Sequence, residues 1–536
     1  MRSAGILMPI TALPSPWGIG TMGRAARGFV DFLRKSGQSC WQVLPIGPTS
    51  FGDSPYQSFS SFAGNPYLID LDDLCADGLL DPWDYQSLSW GSDPARVDYG
   101  LLYRQRFDVL RKAVDRLWRR EGQALARFLH EERDWVYDYA LFMALKDHYH
   151  GVPWHQWPEA LRRRESAAMK AASASLSRET AFWQGVQFLF FRQWQALKDY
   201  AAQQGIAILG DLPIYVAEDS ADVWADPSLF QMDETLRPTE VAGCPPDAFT
   251  ADGQLWGNPL FRWDEMEKTG YRWWMQRIAH QFRFYDMLRI DHFRGFDSYY
   301  AIPFGDENAR RGRWRPGPGI GFFRELERQL GPRPIIAEDL GFLTPSVRQL
   351  LAETGYPGMK VLEFAFDSRD GGGREYQPHN YPKNCVAYVG THDNDTVQGW
   401  CKTADPDDVA LALEYVHADP WEGVHWSMMR AIWMSPADLA IVQIQDLLGL
   451  GSEARINEPS TVGHNWQWRA LPGFDSPALA QRLHRQMELY ERLPQAEEEP
   501  EGDAEPDSEA PAASELEVEV QGAKAHSPQA EGGKVL

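Results

Sequence analysis

Eight short apolar runs, several of them separated by helical patterns, limit the folds open to this chain more than any other feature. The runs are rich in Ile, Leu, Val and aromatic residues, which is typical of parallel strands buried on both faces. Eight such strands alternating with helices favour an α/β fold, the (β/α)8 or TIM barrel, over an open sheet. The predicted strands are Ala4–Ile10, Ser39–Ile46, Ile206–Tyr215, Met287–Phe293, Pro334–Leu340, Met359–Phe366, Asn384–Thr391 and Leu439–Leu448. The predicted helices between them include Ala25–Lys35, Trp273–Tyr285, Phe322–Leu330 and Ser346–Thr354.

The spacing of the predicted strands is uneven, which indicates inserted structure. About 160 residues separate the second strand from the third, too many for one crossover connection. Leu101–His150 and Arg178–Gln204 have helical patterns, so we expect 67–185 to be a mostly helical subdomain inserted on the carboxyl-terminal, catalytic face of the barrel. Residues 216–272 are rich in Pro, Gly and Trp, and we expect inserted substrate-binding loops there.

The charge of the chain is concentrated at its end. Residues 496–536 hold twelve acidic residues against two lysines, so −10 of the formal net charge of −24 lies in this segment. Its low hydrophobicity and charge run predict a disordered acidic tail after a barrel that occupies 1–495. A body that is itself acidic disfavours a nucleic-acid partner, which needs clustered Lys and Arg, and suits a neutral substrate.

The cysteines and the apolar segments indicate the compartment. The five cysteines are odd in number and include no Cys-x-x-Cys pair, which fits reduced thiols rather than a disulfide framework. The amino terminus lacks the pattern of a signal peptide, and no run of about eighteen apolar residues occurs. We therefore expect a cytoplasmic protein with no membrane partner.

Three predicted strands end in acidic residues. Asp291, Glu338 and Asp393 each follow an apolar run and precede a glycine or a loop. The carboxyl ends of the strands of a parallel barrel are where catalytic side chains gather. Two carboxyl groups across a sugar, one ionised and one protonated, are what cleavage of a glycosidic bond requires. The pattern predicts an enzyme that acts on carbohydrate.

Each of these acids also has a structural interpretation. Arg289 lies two residues before Asp291, on the same face of the strand, and we expect its guanidinium to lower the pKa of Asp291 and keep it ionised as a nucleophile. The pair could equally be a salt bridge of the barrel. Asp339, next to Glu338, could cap a helix. The cluster around His392 and Asp393 could bind a metal, but no second His lies at ligand spacing, so we favour hydrogen bonds to sugar hydroxyls.

Two further features bear on the carbohydrate interpretation. Gly18-Ile-Gly20-Thr-Met-Gly23 has the spacing of a dinucleotide-binding loop, but the second strand ends without an acidic residue for a ribose. A tight loop approaching a sugar or the barrel rim is the better interpretation. The 22 tryptophans suit a cleft that stacks on sugar rings, although core packing accounts for most such rings.

Six motifs in order resemble one family. Together they are similar to the 4-α-glucanotransferases, also called amylomaltases or disproportionating enzymes, a branch of the α-amylase-like retaining barrels. The resemblance runs from about Gly5 to Arg469, and the acidic tail lies outside it. The motifs are Ser54-Pro-Tyr-Gln-Ser58, Gly210-Asp-Leu-Pro-Ile-Tyr215, Gln254-Leu-Trp-Gly-Asn-Pro259, Arg289-Ile-Asp-His-Phe-Arg-Gly295, Ala337-Glu-Asp-Leu-Gly341 and Thr391-His-Asp-Asn-Asp-Thr396.

The resemblance implies a role for each matching residue. It implies that Asp291 is the nucleophile, Glu338 the general acid/base and Asp393 a third carboxylate that stabilises the transition state. Tyr56 would stack at the cleavage subsite, and Asp211 would bind sugar or Arg289. The segment around Trp256 would close over the glucan. The full set of implied substrate contacts is Arg289, His292, His392, Tyr56, Asp211, Gln254, Trp256, Asn258 and Asn465.

The resemblance also implies the reaction. We expect transfer of α-1,4-glucan segments, with retention, between maltooligosaccharides or starch- and glycogen-type glucans, with glucose as an acceptor and with no metal or cofactor. A hydrolase of the same superfamily would share all three carboxylates, and the long covering loops favour a sugar acceptor over water. A non-catalytic glucan-binding protein is a third possibility, disfavoured because all three carboxylates are intact.

Overall fold

The computed structural model describes residues 2–50, 52–246, 251–341, 343–369 and 373–494. Met1–Pro494 forms one compact unit. The predicted tail, 496–536, lies outside the described residues.

The strands form two sheets. They are β1 (Ser3–Leu7), β2 (Cys40–Gln42), β3 (Ala207–Leu212), β4 (Glu240–Cys244), β5 (Gln254–Pro259), β6 (Met287–Ile290), β7 (Ser298–Pro303), β8 (Arg313–Pro316), β9 (Ile335–Ala337), β10 (Gly358–Val361), β11 (Cys385–Tyr388) and β12 (Leu439–Gln443). Eight of them form a parallel sheet in the order β10-β11-β12-β1-β2-β3-β6-β9, which follows the chain around a barrel. Each of these eight strands overlaps one of the runs predicted from the sequence.

The barrel closes between β9 and β10 through one backbone hydrogen bond and one hydrogen bond to a side chain. The Ala337 amide donates to the Pro357 carbonyl at 2.9 Å, and the Met359 amide donates to Asp339 Oδ1 at 2.6 Å. A Cβ at Gly358 would lie only 2.6 Å from the Asp339 carboxylate, so glycine is needed for this approach. Asp339 is buried here, and it joins two barrel strands rather than capping a helix.

Helices surround the barrel and fill the first insertion. The first helix, Arg24–Lys35, shows why they form. Buried apolar residues recur in it at helical spacing, at Ala26, Phe29, Val30 and Leu33, and its last turn is basic. The helices are α1 (Arg24–Lys35), α2 (Leu71–Ala76), α3 (Tyr99–Glu131), α4 (Val136–His148), α5 (Glu159–Arg162), α6 (Ser166–Ser175), α7 (Ser177–Gln203), α8 (Ala221–Ala225), α9 (Trp263–Lys268), α10 (Arg272–Phe284), α11 (Ile320–Leu330), α12 (Pro345–Thr354), α13 (Val397–Thr403), α14 (Pro406–Tyr415), α15 (Val424–Met434), α16 (Ile444–Leu447) and α17 (Pro477–Leu489).

The first insertion is mostly helical, and its last helix belongs to both the insertion and the barrel. α7 packs on α3 and α4 and also on β3, so it runs past the predicted boundary at residue 185. Gln187 exchanges two hydrogen bonds with the backbone of Gly64, and Gln193 does the same with Asp70. α7 therefore also fixes the segment that follows the Ser54–Ser58 motif.

The second insertion contributes two strands to a sheet that the sequence patterns did not predict. β5, β4, β7 and β8 form an antiparallel sheet in that order, with a register shift between Val241 and Gly243. The irregular loops expected over 216–272 therefore include two strands and the short helices α8 and α9. Among the described residues, no helix is both long and apolar enough to cross a membrane.

Candidate active site

The three acids identified in the sequence follow the carboxyl ends of barrel strands. Asp291 comes directly after β6 and Glu338 directly after β9, while Asp393 lies in the loop after β11. The ladder continues past the strand ends, because the Asp291 amide donates to the Leu212 carbonyl and the Glu338 amide to the Ile290 carbonyl, each at 3.0 Å. The rim of the sheet therefore presents Asp291 and Glu338 from adjacent strands.

A buried guanidinium holds Asp291 in place. Arg289 Nη1 lies 2.7 Å from both oxygens of Asp211, whose side chain is fully buried, and Arg289 Nη2 lies 3.0 Å from Asp291 Oδ1. β3 and β6 pair so that Asp211 is directly opposite Arg289. Arg289 Nε also contacts Met359 Sδ at 3.3 Å. The predicted pairing of Arg289 with both Asp211 and Asp291 is therefore present. Arg289, itself held by the buried Asp211, fixes the orientation of Asp291, the candidate nucleophile.

Backbone amides orient the Glu338 carboxyl. Its Oε2 accepts from the His292 amide at 2.7 Å and its Oε1 from the Leu340 amide at 2.9 Å. His292 can present its amide because it adopts a left-handed conformation, with φ of 53°. The turn that follows Asp291 thus positions Glu338, so the two candidate catalytic groups belong to one hydrogen-bonded unit.

Burial raises the pKa values of both carboxyl groups. The pKa of Asp291 rises to about 7 because burial, with the charges of Asp211 and Asp393, outweighs the lowering by Arg289. The expectation of a lowered pKa for Asp291 is therefore wrong in its net direction, although Arg289 does act in the expected sense. The pKa of Glu338 rises to about 8, through burial and the nearby charge of Asp291. Because Arg289 contacts Asp291 and not Glu338, we expect Asp291 to be the ionised member of the pair and Glu338 to hold the proton.

Asp393 lies in a more open position beside two rings. Its side chain is 45 % exposed, and the His392 Nε2 atom lies 3.4 Å from its Oδ1. The His392 ring stacks on Tyr56, with centroids 5.2 Å apart and planes within 15°. The Tyr56 hydroxyl donates to Asp211 Oδ2 at 2.7 Å. Tyr56 therefore connects the third carboxylate to the buried Asp211–Arg289 pair.

The two histidines predicted to contact substrate are neutral at neutral pH. Burial, reinforced by Arg294, lowers the pKa of His292 to about 3, and burial lowers the pKa of His392. Within the described residues, His292 Nε2 and His392 Nδ1 are buried and have no hydrogen-bond partner. Neutral ring nitrogens of this kind are suited to pairing with sugar hydroxyls.

The predicted covering segment is only partly available to a ligand. The Trp256 ring meets His292 edge to face, with centroids 4.8 Å apart, and its Nε1 donates to Gln254 Oε1 at 3.0 Å. Asn258 is buried. Its Nδ2 donates to the Val216 carbonyl at 2.8 Å, and its Oδ1 accepts from Gln57 Nε2 at 3.3 Å. Trp256 therefore borders the site, whereas Asn258 holds the segment against its neighbours.

Asn465 is used by its own loop. Its Oδ1 accepts from the Glu458 amide at 3.0 Å, and its Nδ2 donates to the carbonyls of Glu458 and Thr461. It precedes Trp466, whose ring lies 5.8 Å from that of Tyr56. The side-chain amide of Asn465 therefore stabilises the conformation of its own loop.

Two residues near Asp393 had no signal in the sequence reasoning. Asn457 Nδ2 donates to Asp393 Oδ1 at 2.6 Å, and Arg455 Nη2 donates to the Asp393 carbonyl at 2.7 Å. Both lie in irregular chain more than sixty residues after Asp393, so neither periodicity nor spacing could connect them. The nearness of the segment in sequence to Asn465, a predicted substrate contact, is the one feature that points to it.

Two pockets lie in this region. One is lined by Tyr56, Asp211 and the buried Arg277. The other is lined by Thr11, Asp53 and Trp466 among others. In the described part of the chain, no group of three or more His, Cys, Asp or Glu side chains is arranged to hold a metal ion.

Comparison with known proteins decides the family. The sequence model of the family described as 4-alpha-glucanotransferase matches residues 8–473. The chain belongs to this family. It is 48% identical over 508 residues to a 4-alpha-glucanotransferase of Thermus thermophilus, covering 92% of this chain and 99% of that one. A 4-alpha-glucanotransferase of Clostridium butyricum is 46% identical over 487 residues, covering 90% and 100% of the two chains. This member of the 4-alpha-glucanotransferase family is therefore a transferase.

Solved structures agree with the fold. An amylomaltase from Streptococcus agalactiae, solved in complex with acarbose, is 42% identical with a TM-score of 0.90, covering 92% of this chain and all of that one. An amylomaltase from Corynebacterium glutamicum has a TM-score of 0.72 at 20% identity, covering 92% and 74%, and shows the fold alone. The predicted (β/α)8 barrel and the predicted family are confirmed.

Proposed function

We propose that this glucanotransferase works through a covalent glycosyl ester on Asp291, with Glu338 as acid/base and Asp393 as the stabilising third carboxylate. The observation that carries the proposal is the difference in what the two carboxyl groups contact: Arg289 Nη2 lies 3.0 Å from Asp291 Oδ1, whereas the Glu338 carboxyl accepts from the backbone amides of His292 and Leu340. The guanidinium favours an ionised Asp291, and the raised pKa of Glu338 favours a protonated acid. A retaining glycosidase needs this division of roles between its two carboxyl groups.

In the first step, Glu338 gives its proton to the glycosidic oxygen while an Asp291 oxygen bonds to the anomeric carbon. The bond to the leaving sugar breaks, and that sugar departs with a free 4-hydroxyl. In the second step, the Glu338 carboxylate takes the proton of an acceptor 4-hydroxyl, whose oxygen attacks the anomeric carbon and releases Asp291. Two inversions at one carbon give net retention, and the number of glycosidic bonds stays constant.

The substrates follow from this chemistry. We propose that maltooligosaccharides and starch- or glycogen-type α-1,4-glucans are donors, and that glucose or another glucan is the acceptor. An uncharged, polyhydroxylated ligand suits this site better than a phosphorylated one. Neutral imidazoles at His292 and His392 can pair with hydroxyl groups, and the rings of Tyr56 and Trp256 can stack on sugar rings. All five cysteines lie in the described residues and form no disulfide there, which supports a cytoplasmic location.

Maltotriose tests the proposal directly. Incubation is expected to give glucose and a ladder of longer oligosaccharides, while the total of reducing ends stays nearly constant. A chelator is expected to change neither rate nor products. A steady rise in reducing ends with products that only shorten would show that water is the acceptor and that the chain acts as a hydrolase. No product at all would favour the glucan-binding alternative.

A further inference from the structure

The third carboxylate is held by a segment distant in sequence. Asp393 Oδ1 accepts from Asn457 Nδ2 at 2.6 Å, and the same oxygen is the one that lies 3.4 Å from His392 Nε2. Both contacts thus fall on one side of a carboxylate whose side chain is 45 % exposed. A carboxylate fixed through one oxygen can turn only its other oxygen toward a ligand.

The support extends beyond one hydrogen bond. Arg455 Nη2 donates to the Asp393 carbonyl at 2.7 Å, and its Nε donates to the Asn457 carbonyl at 2.8 Å, so one guanidinium joins the two residues. Ser452 Oγ donates to Asp395 Oδ2 at 2.7 Å. The segment 452–457, which we name the strap, therefore holds the loop after β11 at three places.

The chemistry of the bond matters as much as its geometry. An amide N–H donor stabilises the ionised form of a carboxylate, and hydrogen bonds to charged groups are the stronger kind. A third carboxylate must be ionised and correctly turned to bond a sugar hydroxyl more strongly as the transition state forms. An acidic side chain in place of Asn457 would instead set a second negative charge against Asp393.

We propose that Asn457 is a positioning residue for the reaction: it turns Asp393 toward the reacting sugar, and so acts on turnover more than on substrate binding. The family resemblance points to Asn465, but the side-chain amide of Asn465 forms hydrogen bonds within its own loop. Asn457, in contrast, donates to the Asp393 carboxylate. This proposal rests on the proposed role of Asp393 as the third carboxylate.

The first test compares Asn457→Ala with the wild type in the full-length enzyme on maltotriose. Loosening the carboxylate is expected to lower kcat by roughly tenfold to a hundredfold, the range for a slightly misplaced catalytic group, with KM changed by less than about threefold. Asn384→Ala is the matched control: it removes one amide hydrogen bond, from Asn384 to the Gly355 carbonyl, at the opposite end of β11. Its kcat is expected to equal that of the wild type.

Asn457→Asp separates positioning from simple structural support. In this variant, a protonated carboxyl group can donate to Asp393, but an ionised one repels it. The activity of Asn457→Asp relative to Asn457→Ala is therefore expected to rise as the pH falls. A purely structural role would give parallel pH profiles for the two variants, and that result would overturn the proposal. A kcat within twofold of wild type in Asn457→Ala would overturn it as well.

A double variant distinguishes failure of this proposal from failure of the proposed site. If Asn457 acts through Asp393, adding Asn457→Ala to Asp393→Asn is expected to cause little further loss of kcat. Full additivity of the two losses would show that Asn457 acts elsewhere. If Asp393→Asn alone keeps full activity, the role proposed for Asp393 is wrong, and the proposal for Asn457 falls with it.

Discussion

Two partly buried carboxyl groups link the geometry of this site to its chemistry. The Arg289 guanidinium contacts Asp291 directly, whereas it acts on Glu338 only through its charge. Burial raises the pKa of both acids, and the direct contact with Arg289 favours the ionised form of Asp291. We therefore expect Asp291 to be the nucleophile and Glu338 to be the acid.

The pH dependence of kcat/KM is expected to be bell-shaped. As the pH falls through about 7, Asp291 gains a proton and can no longer attack, so activity is lost on the acid side. As the pH rises through about 8, Glu338 loses the proton that the leaving sugar needs, so activity is lost on the alkaline side. Initial rates of maltotriose conversion at low substrate concentration measure both limbs. A profile that stays flat across both of these pKa values would contradict the assignments.

The Glu338→Gln variant is expected to accumulate a covalent intermediate. α-Glucosyl fluoride needs no proton for departure of its leaving group, so Asp291 can still attack it, but no carboxylate remains to activate the acceptor. Intact-mass spectrometry of the variant is expected to show one added glycosyl group, located by peptide mapping on Asp291. Adding Asp291→Asn should abolish the adduct. An adduct on any residue other than Asp291 would reverse the proposed roles.

At the scale of elements, β5 brings an aromatic ring to the site. Trp256 is fixed by its hydrogen bond to Gln254 and by its contact with His292, whose amide in turn holds Glu338. The proposed acid/base role of Glu338 would bring it beside the leaving and acceptor sugars, so we expect Trp256 to border the acceptor side. A ring there can stack on the incoming sugar and exclude water.

Removal of this ring is expected to raise the share of hydrolysis. In Trp256→Ala, the acceptor sugar loses a stacking surface and water gains access, so reducing ends should increase several-fold relative to bonds transferred. The measurement is total reducing ends against glucose release from maltotriose. Trp421→Ala is the control, because Trp421 is 97% exposed on the turn before α15. An unchanged ratio in Trp256→Ala would place the ring on the donor side.

The elements differ in how far the sequence could predict them. The eight barrel strands were found because buried parallel strands are continuous apolar runs. The carboxyl ends of the strands were predicted too late: the run Leu439–Leu448 ends as a strand at Gln443 and continues as the helix α16, which is equally buried. The antiparallel sheet was missed because β4 and β5 contain glycines and a register shift, which remove the alternation that identifies such strands.

The site divides in the same way. Acids at the ends of strands could be predicted because the barrel brings those ends together. The strap could not, because its contacts with Asp393 arise from irregular chain placed by the whole fold. The pKa of Asp291 was predicted in the wrong direction because Arg289 is visible in the sequence, whereas the burial that outweighs it is a property of the folded molecule.

At the scale of the whole molecule, the two ends of the described chain meet at one buried arginine. Arg492 is fully buried after α17. Its guanidinium donates to the carbonyls of Ser3, Trp433, Ser435 and Ala437, at 2.7, 2.8, 3.1 and 3.0 Å. It therefore joins the start of β1 to the chain between α15 and β12. A barrel whose first and last strands pair is sensitive to such a link.

Arg492→Ala is expected to destabilise the enzyme without changing its chemistry. Several buried carbonyls would lose a charged donor, a loss of about 3 kcal/mol in the free energy of unfolding, and the thermal midpoint would fall by several degrees. Arg485→Ala is the matched control, because Arg485 is exposed and pairs with Glu488 within α17.

Chains that end after Pro494 and after Glu491 extend the test, since only the first keeps Arg492. The first is expected to keep the midpoint and specific activity of the full chain, because the composition of 496–536 offers too little apolar area to form a packed core. The second is expected to lose stability as Arg492→Ala does. Equal midpoints for the two truncated chains would show that the arginine does not hold the ends together.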